Sequence, residues 1–182
     1  IMPEVTPICQ FGTKAISFSL KGIDEKTYNL EEIKGKNGTL VIFICNHCPY
    51  VKGVIDRLVK DIIDLQKKEI GCVAIMSNDV ENYPEDSFEN MKKFSKENNF
   101  TFPYLYDETQ DIAKAYGAVC TPDFFGYNKN LELQYRGRLD NAGISGKVLK
   151  DKELLNAFHQ IIQTGTGPNE QKPSMGCSIK WK

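Results

Sequence analysis

The sequence predicts a single α/β domain: a central mixed sheet flanked by helices, with a β-hairpin near the N-terminus and a tail after the last helix. Three observations predict it. Two continuous apolar runs, Leu40–Ile44 and Ile70–Met76, enclose a stretch of helical period. Each run reads as a strand buried on both faces, and a strand–helix–strand unit of this kind makes a right-handed parallel crossover. On either side lie pairs of short segments parted by turn residues, which read as antiparallel hairpins. Finally, the chain has 182 residues, enough for one domain with a sizeable core and no disulfide scaffold.

The elements follow in order. Ile16-Ser-Phe-Ser-Leu20 alternates apolar and polar residues, and Thr27–Leu30 follows across the turn-like Gly22-Ile-Asp-Glu-Lys26, giving the first hairpin. Gly35-Lys-Asn-Gly38 breaks the chain before the Leu40–Ile44 strand. From Pro49 the apolar positions Val51, Val54, Ile55, Leu58, Val59, Ile62, Ile63 and Leu65 keep helical spacing. Pro49 suits a first helical turn, whose amide has no intrahelical partner. The second buried strand, Ile70–Met76, comes next. Asp86-Ser-Phe-Glu89 resembles a capping box opening a helix with Phe88, Met91 and Phe94 inward. Phe102–Tyr106 reads as a short strand, and Thr109 as the cap of a short helix ending at Gly117. Asp123–Tyr127 and Glu132–Arg136 flank Asn128-Lys-Asn130 as a second hairpin, and Leu154, Leu155, Phe158, Ile161 and Ile162 mark a final helix. The expected organisation is a domain over residues 1–164 and an irregular, polar extension over 165–182.

Composition narrows the function. Twenty-three basic and 24 acidic residues leave a net charge of −1, against the basic excess that counterion-driven binding to nucleic acid or an anionic membrane requires. A mean hydropathy of −0.39 and an apolar fraction of 41% describe an ordinary globular chain. No apolar run approaches a membrane span and no signal-peptide pattern opens the sequence. Ile1 before Met2 reads as a trimmed start, which leaves an earlier leader open. The expectation is a cytoplasmic protein, of oligomeric state the sequence does not specify.

Six cysteines stand at 9, 45, 48, 72, 120 and 177, and only Cys45 and Cys48 are close together. A secreted disulfide framework does not suit so long a chain; one redox-active or metal-binding site in a reducing compartment does. Cys72, inside an apolar run, reads as core, and Cys9 as a bystander. A thiol is a nucleophile only as thiolate, and a helix N-terminus lowers its pKa. Cys48 immediately precedes Pro49, so it is the expected nucleophile, with Cys45 three residues earlier able to close a reversible disulfide.

The run Phe18-Ser-Leu-Lys-Gly-Ile-Asp24, Thr27-Tyr-Asn-Leu30, Gly35-Lys36 and Leu40-Val-Ile-Phe-Ile44, with cysteine at the next helix start, resembles the thioredoxin-like redoxins of the alkyl hydroperoxide reductase/thiol-specific antioxidant (AhpC/TSA) superfamily and the thioredoxin-like reductases of cytochrome maturation. Tyr116-Gly-Ala-Val-Cys-Thr-Pro122 and the strand Glu132–Arg138 add to the resemblance, which spans about residues 11 to 164. More narrowly, Cys45-Asn-His-Cys-Pro-Tyr-Val51, Ser77-Asn-Asp79, Cys120-Thr-Pro-Asp-Phe-Phe125 and Gly176-Cys-Ser-Ile-Lys-Trp-Lys182 resemble one subgroup of these redoxins. The resemblance implies a thioredoxin-like fold, a cis bond before Pro122, and a substrate-binding edge shaped by Thr121 and Pro122. It also implies thiol–disulfide chemistry, with protein or small-molecule thiols and disulfides as partners, peroxides conceivable, and no bound cofactor, since thiols carry the electrons. Counting from Phe43 as in thioredoxins reaches Cys48. The usual downstream cysteine position holds Val51, and the buried acid position holds Ile42.

Two rivals follow. A thiol peroxidase would use Cys48 as the peroxidatic residue, yet the family's threonine and upstream proline fall at Cys45 and Val41, and its peroxide-orienting arginine falls near Thr121. Arg136 or Arg138 would have to substitute. A Cu(I)- or Zn(II)-binding protein would use Cys45, His47, Cys48 and Cys120 as soft ligands, although no metal ligand is assigned. His47 is an auxiliary candidate as a tuner of the thiolate, and Cys120 as a third sulfur beside Pro122. Asp79, Asp123, Arg57 and His159 read as solvated or packing residues. The tail carries the last candidate. Ile179 and Trp181 are expected to pack on the domain, bringing Cys177 within reach of Cys48 or Cys120 as a second resolving thiol or a shield for the first disulfide.

Overall fold

A computed structural model describes residues 3–182. Among them a seven-stranded sheet runs in the order β3 (Thr27–Asn29), β2 (Ser19–Gly22), β6 (Tyr104–Tyr106), β5 (Ile70–Met76), β4 (Gly38–Phe43), β8 (Asp123–Tyr127), β9 (Leu133–Tyr135). β4–β5 and β5–β6 are parallel and the remaining pairs antiparallel. The pleat explains the unbroken apolar runs. Leu40, Ile42, Cys72, Ala74 and Met76 face one core and Val41, Phe43, Val73 and Ile75 the other. The first core is covered by α3 (Ile55–Lys67), α4 (Phe88–Glu97) and α6 (Glu153–Thr164), the second by α1 (Leu30–Ile33) and α5 (Asp111–Tyr116).

Local chemistry moves several boundaries. β2 starts at Ser19 rather than Ile16, because the Ile16 carbonyl accepts from the Tyr116 hydroxyl at 2.6 Å and leaves the ladder. The helix after Pro49 is split into α2 (Pro49–Lys52) and α3. The split falls at Gly53, whose carbonyl takes a hydrogen bond from Arg57 and whose α-carbon abuts Ile144 too closely for a side chain. Arg57 is thus no wet-face residue; its guanidinium grips Asp140 at 2.7 and 3.1 Å. Ser87, not Asp86, caps α4 by accepting from the Asn90 amide. The amides of Ile112 and Ala113 in α5 are taken by the Asp107 carboxylate, with Thr109 only assisting at 3.3 Å.

After α6 the chain turns at Gly165, in the left-handed region at φ 79°, and is not loose. Arg138 donates its amide to the Lys172 carbonyl, and Thr6 and Ser174 exchange two hydrogen bonds of 3.0 Å. β10 (Met175–Ser178) then lies between β1 (Pro3–Val5) and β7 (Cys120–Thr121) as the middle of a three-stranded antiparallel sheet. Gly176 makes this possible: a β-carbon there would collide with the Thr121 carbonyl. Ile179 is buried, while Trp181 stays 43% exposed with the Lys114 ammonium over its ring. No helix among the described residues is long and apolar enough to cross a membrane.

Candidate active site

The loop between β4 and α2 carries Cys45, Asn46, His47 and Cys48. Ile44 still pairs with the Ile75 carbonyl, so the loop leaves the sheet at its centre. Cys48 has extended backbone and its carbonyl accepts from Val51 and Lys52, fixing it as the residue before the helix. Facing it is the Thr121–Pro122 peptide, which is cis. The Thr121 hydroxyl lies 3.4 Å from Cys45 Sγ, and the Thr121 carbonyl 3.3 Å from Cys48 Sγ. The pairing of Cys177 with Thr121 across β10 and β7 brings Cys177 Sγ to 2.8 Å from Cys48 Sγ. Cys45, Cys48 and Cys177 are all buried.

These neighbours sort the thiols. Cys48 is lowered to about 5, first by its hydrogen-bonding contact with Cys45, against the cost of burial, and then by the Cys177 thiol, the Cys177 amide and Thr121. The Thr121 carbonyl favours the neutral thiol and opposes them. Sulfur neighbours thus lower Cys48, while the helix start invoked by sequence reasoning offers little: α2 is a single turn, and Pro49 has no N–H to give. Cys45 is pushed well up by that same contact with Cys48, by burial and by the Asp86 carboxylate. Cys177 rises to about 11 through burial and the adjacent Cys48. Cys120 and Cys72 are pushed up by burial, and Cys9 to about 11 for the same reason. The Cys120 thiol turns to the Pro122 carbonyl.

Beneath the loop lies a polar network that the sequence did not single out. Asp86, fully buried, accepts from the Asn46 amide at 2.8 Å and from Asn78 Nδ2 at 2.9 Å, and has His47 Nδ1 2.8 Å away. The Asn46 side chain in turn accepts from the buried Tyr104 hydroxyl. The Ser77–Asp79 motif was the available signal, since Asn78 holds both Asp86 and the Lys180 amide of the tail. Asp123 is not a solvated loop acid: it is buried in a two-bond pair with Arg136, at 3.1 and 2.9 Å. Arg138 is committed to Glu153 at 2.6 Å and lines an apolar groove of about 430 Å³ with Tyr50, Val54, Pro122, Phe124 and Met175.

A mixed sheet with a buried parallel crossover, a Cys-x-x-Cys loop at its centre and a cis-proline facing the second cysteine define a thioredoxin-like redoxin. The AhpC/TSA family model matches residues 11–140, and the chain belongs to that family. A crystal structure of an uncharacterized conserved protein from Geobacillus kaustophilus is similar at 43% identity and TM-score 0.94, covering 100% of this chain and 97% of that one. A hypothetical protein from Sinorhizobium meliloti is similar at 37% identity and TM-score 0.92, covering 98% and 97%. The thioredoxin domain of a thiol-disulfide oxidoreductase from Bacteroides vulgatus shares the fold at 16% identity and TM-score 0.64, covering 84% and 97%. Among curated proteins, none matches the chain.

Proposed function

We propose that the chain is a thiol–disulfide oxidoreductase in which Cys48 attacks a substrate disulfide and Cys177, delivered by the tail strand, resolves the mixed disulfide. The observation that carries it is the 2.8 Å contact between the two sulfurs. The Cys48 thiolate attacks one sulfur of R–S–S–R′; the Cys48–S–S–R bond forms, and R′S⁻ leaves and takes up a proton. The Cys177 thiol gives up its proton and attacks the Cys48 sulfur, expelling RS⁻ and closing Cys48–Cys177. The substrate gains two electrons, the chain loses two, and an external dithiol restores the thiols. Thr121 and Pro122 form the edge against which the substrate sulfur lies, and the groove beside Pro122 receives its apolar portion.

This reading shifts the resolving role from Cys45, where sequence reasoning placed it, to Cys177. Cys45 then acts on Cys48 as a hydrogen-bonding neighbour that favours the thiolate. A peroxidase needs a group that polarises the O–O bond. Arg136 and Arg138, the two substitutes for the family arginine, are spent on Asp123 and Glu153, so the disulfide reading is favoured. The test is a trap. With oxidised glutathione as substrate, Cys177→Ser accumulates the Cys48–glutathione adduct, Cys45→Ser turns over, and Cys48→Ser does neither, read by intact mass. If Cys45→Ser is the variant that accumulates the adduct, the Cys45–Cys48 pair is the redox couple instead.

A further inference from the structure

Cys45, His47 and Asp86 form a cluster that takes no covalent part in the disulfide chemistry. One ligand atom from each, a sulfur, an imidazole nitrogen and a carboxylate oxygen, lies within 4.8 Å of the other two. His47 Nδ1 is the telling atom. It is buried and 2.8 Å from Asp86 Oδ2, yet the ring is not turned to send an N–H along that line, and Nδ1 has no hydrogen bond among the described residues. A buried nitrogen left without a hydrogen bond is costly and calls for an explanation. A metal ion shared with Cys45 and Asp86, whose ligand atoms and that of His47 lie within 4.8 Å of one another, would supply one.

We infer that Cys45 Sγ, His47 Nδ1 and the Asp86 carboxylate are a three-ligand site for a divalent zinc ion. Sulfur, imidazole and carboxylate together are a donor set zinc accepts, and carboxylate oxygen argues against Cu(I), which selects sulfur. Zinc bonds of about 2.0–2.3 Å in a tetrahedron separate ligand atoms by roughly 3.3–3.8 Å. The 2.8 Å His47–Asp86 separation therefore opens slightly on binding, and the widest separation closes by about 1 Å. The surroundings already orient each ligand, as metal sites require. The Asn46 amide and Asn78 hold the carboxylate, the Thr121 hydroxyl touches Cys45, and Tyr83 stacks on the His47 ring at 6.1 Å. His47 and Asn46 border an open cleft lined by Lys52, Asp56, Glu85 and Lys93, so the loop that carries the ligands meets solvent on that side. Cys45 binds as thiolate, its proton passing to solvent.

The zinc ligands include neither Cys48 nor Cys177, and the experiment keeps the two sites apart. Fully reduced full-length protein is titrated with Zn(II), and separately with Co(II) as an optical reporter, followed by elemental analysis after gel filtration. One zinc per chain is expected in the wild type, in Cys48→Ser and in Cys177→Ser, with a thiolate-to-cobalt absorption band in each. Cys45→Ser, His47→Ala and Asp86→Asn should fall to background. His47→Ala, at a partly exposed position, decides the matter should Asp86→Asn fail to fold. A reduced wild type that takes up no zinc overturns the site, as does zinc retained by both Cys45→Ser and His47→Ala. Loss of zinc in Cys48→Ser with retention in His47→Ala would assign the ion to the redox sulfurs and likewise overturn it.

Discussion

The two sheets of this molecule are built on different terms. The seven-stranded sheet is held by apolar burial at its centre: Leu40, Ile42, Val73 and Ile75 are fully buried, and β4 and β5 carry their own instruction in their pattern. The three-stranded sheet is short. β1 is exposed along its length, β7 is two residues long, and the register rests on Gly176 and on Thr6–Ser174 hydrogen bonds between residues 168 apart in sequence. The large sheet makes the domain; the small one puts a third sulfur against Cys48. Stability and reactivity are thus carried by separate parts of the fold.

Substitutions can break that comparison. The largest stability effect is expected from Ile42→Ala, which removes a fully buried side chain from the large sheet and should cost about 2–5 kcal/mol, read by urea denaturation. Gly176→Val forces β10 away from Thr121 and should cost less, about 1–3 kcal/mol. On mild oxidation, however, it should form no Cys48–Cys177 disulfide, and its Cys48 should be alkylated faster than in wild type. A stability loss matching that of Ile42→Ala would show the small sheet to be as structural as the large one.

A third change concerns pH. With Cys48 lowered to about 5, its alkylation rate should be level at neutral pH and fall as pH drops through that value. Cys177→Ala removes a contact that lowers Cys48, so the inflection should move up in pH; an unmoved inflection would leave Cys45 as the sole sulfur acting on Cys48. The smallest effect is expected at Trp181, exposed and held by one cation–π contact. Trp181→Ala should cost no more than about 0.5–1 kcal/mol and leave Cys48 reactivity unchanged.

What the sequence shows and what it hides divides along the same line. β4, β5 and α6 are legible because period and apolar content are local properties, and Cys45 and Cys48 because three-residue spacing is local too. Two short-range misreadings have chemical causes. The Asp86–Glu89 pattern looks like a capping box, yet Asp86 is drawn inward by the Asn46 amide and Asn78. Arg57 falls on the polar side of a helical wheel, yet Asp140 arrives from a distant loop to meet it. The register of β10 against β7, and with it the Cys48–Cys177 contact, depends on partners 56 or more residues apart that no periodicity announces. Docking of the tail was suggested only by Ile179 and Trp181 being out of place in a polar stretch, and of these only Ile179 is buried.

The contact between Cys48 and Cys177 spans 129 positions of sequence, which bears on the order in which the protein comes into being. Synthesis proceeds from the N-terminus and domains fold as units as they emerge. Loop-closure entropy must be met before so distant a contact forms. All seven strands of the large sheet, the last ending at Tyr135, can be complete while Cys177 is still unmade or inside the ribosome. During that interval Cys48 and Cys45 sit in a formed loop without their distant partner. A nascent chain would therefore expose an unshielded pair of thiols, and only translation beyond the last strand would close them in.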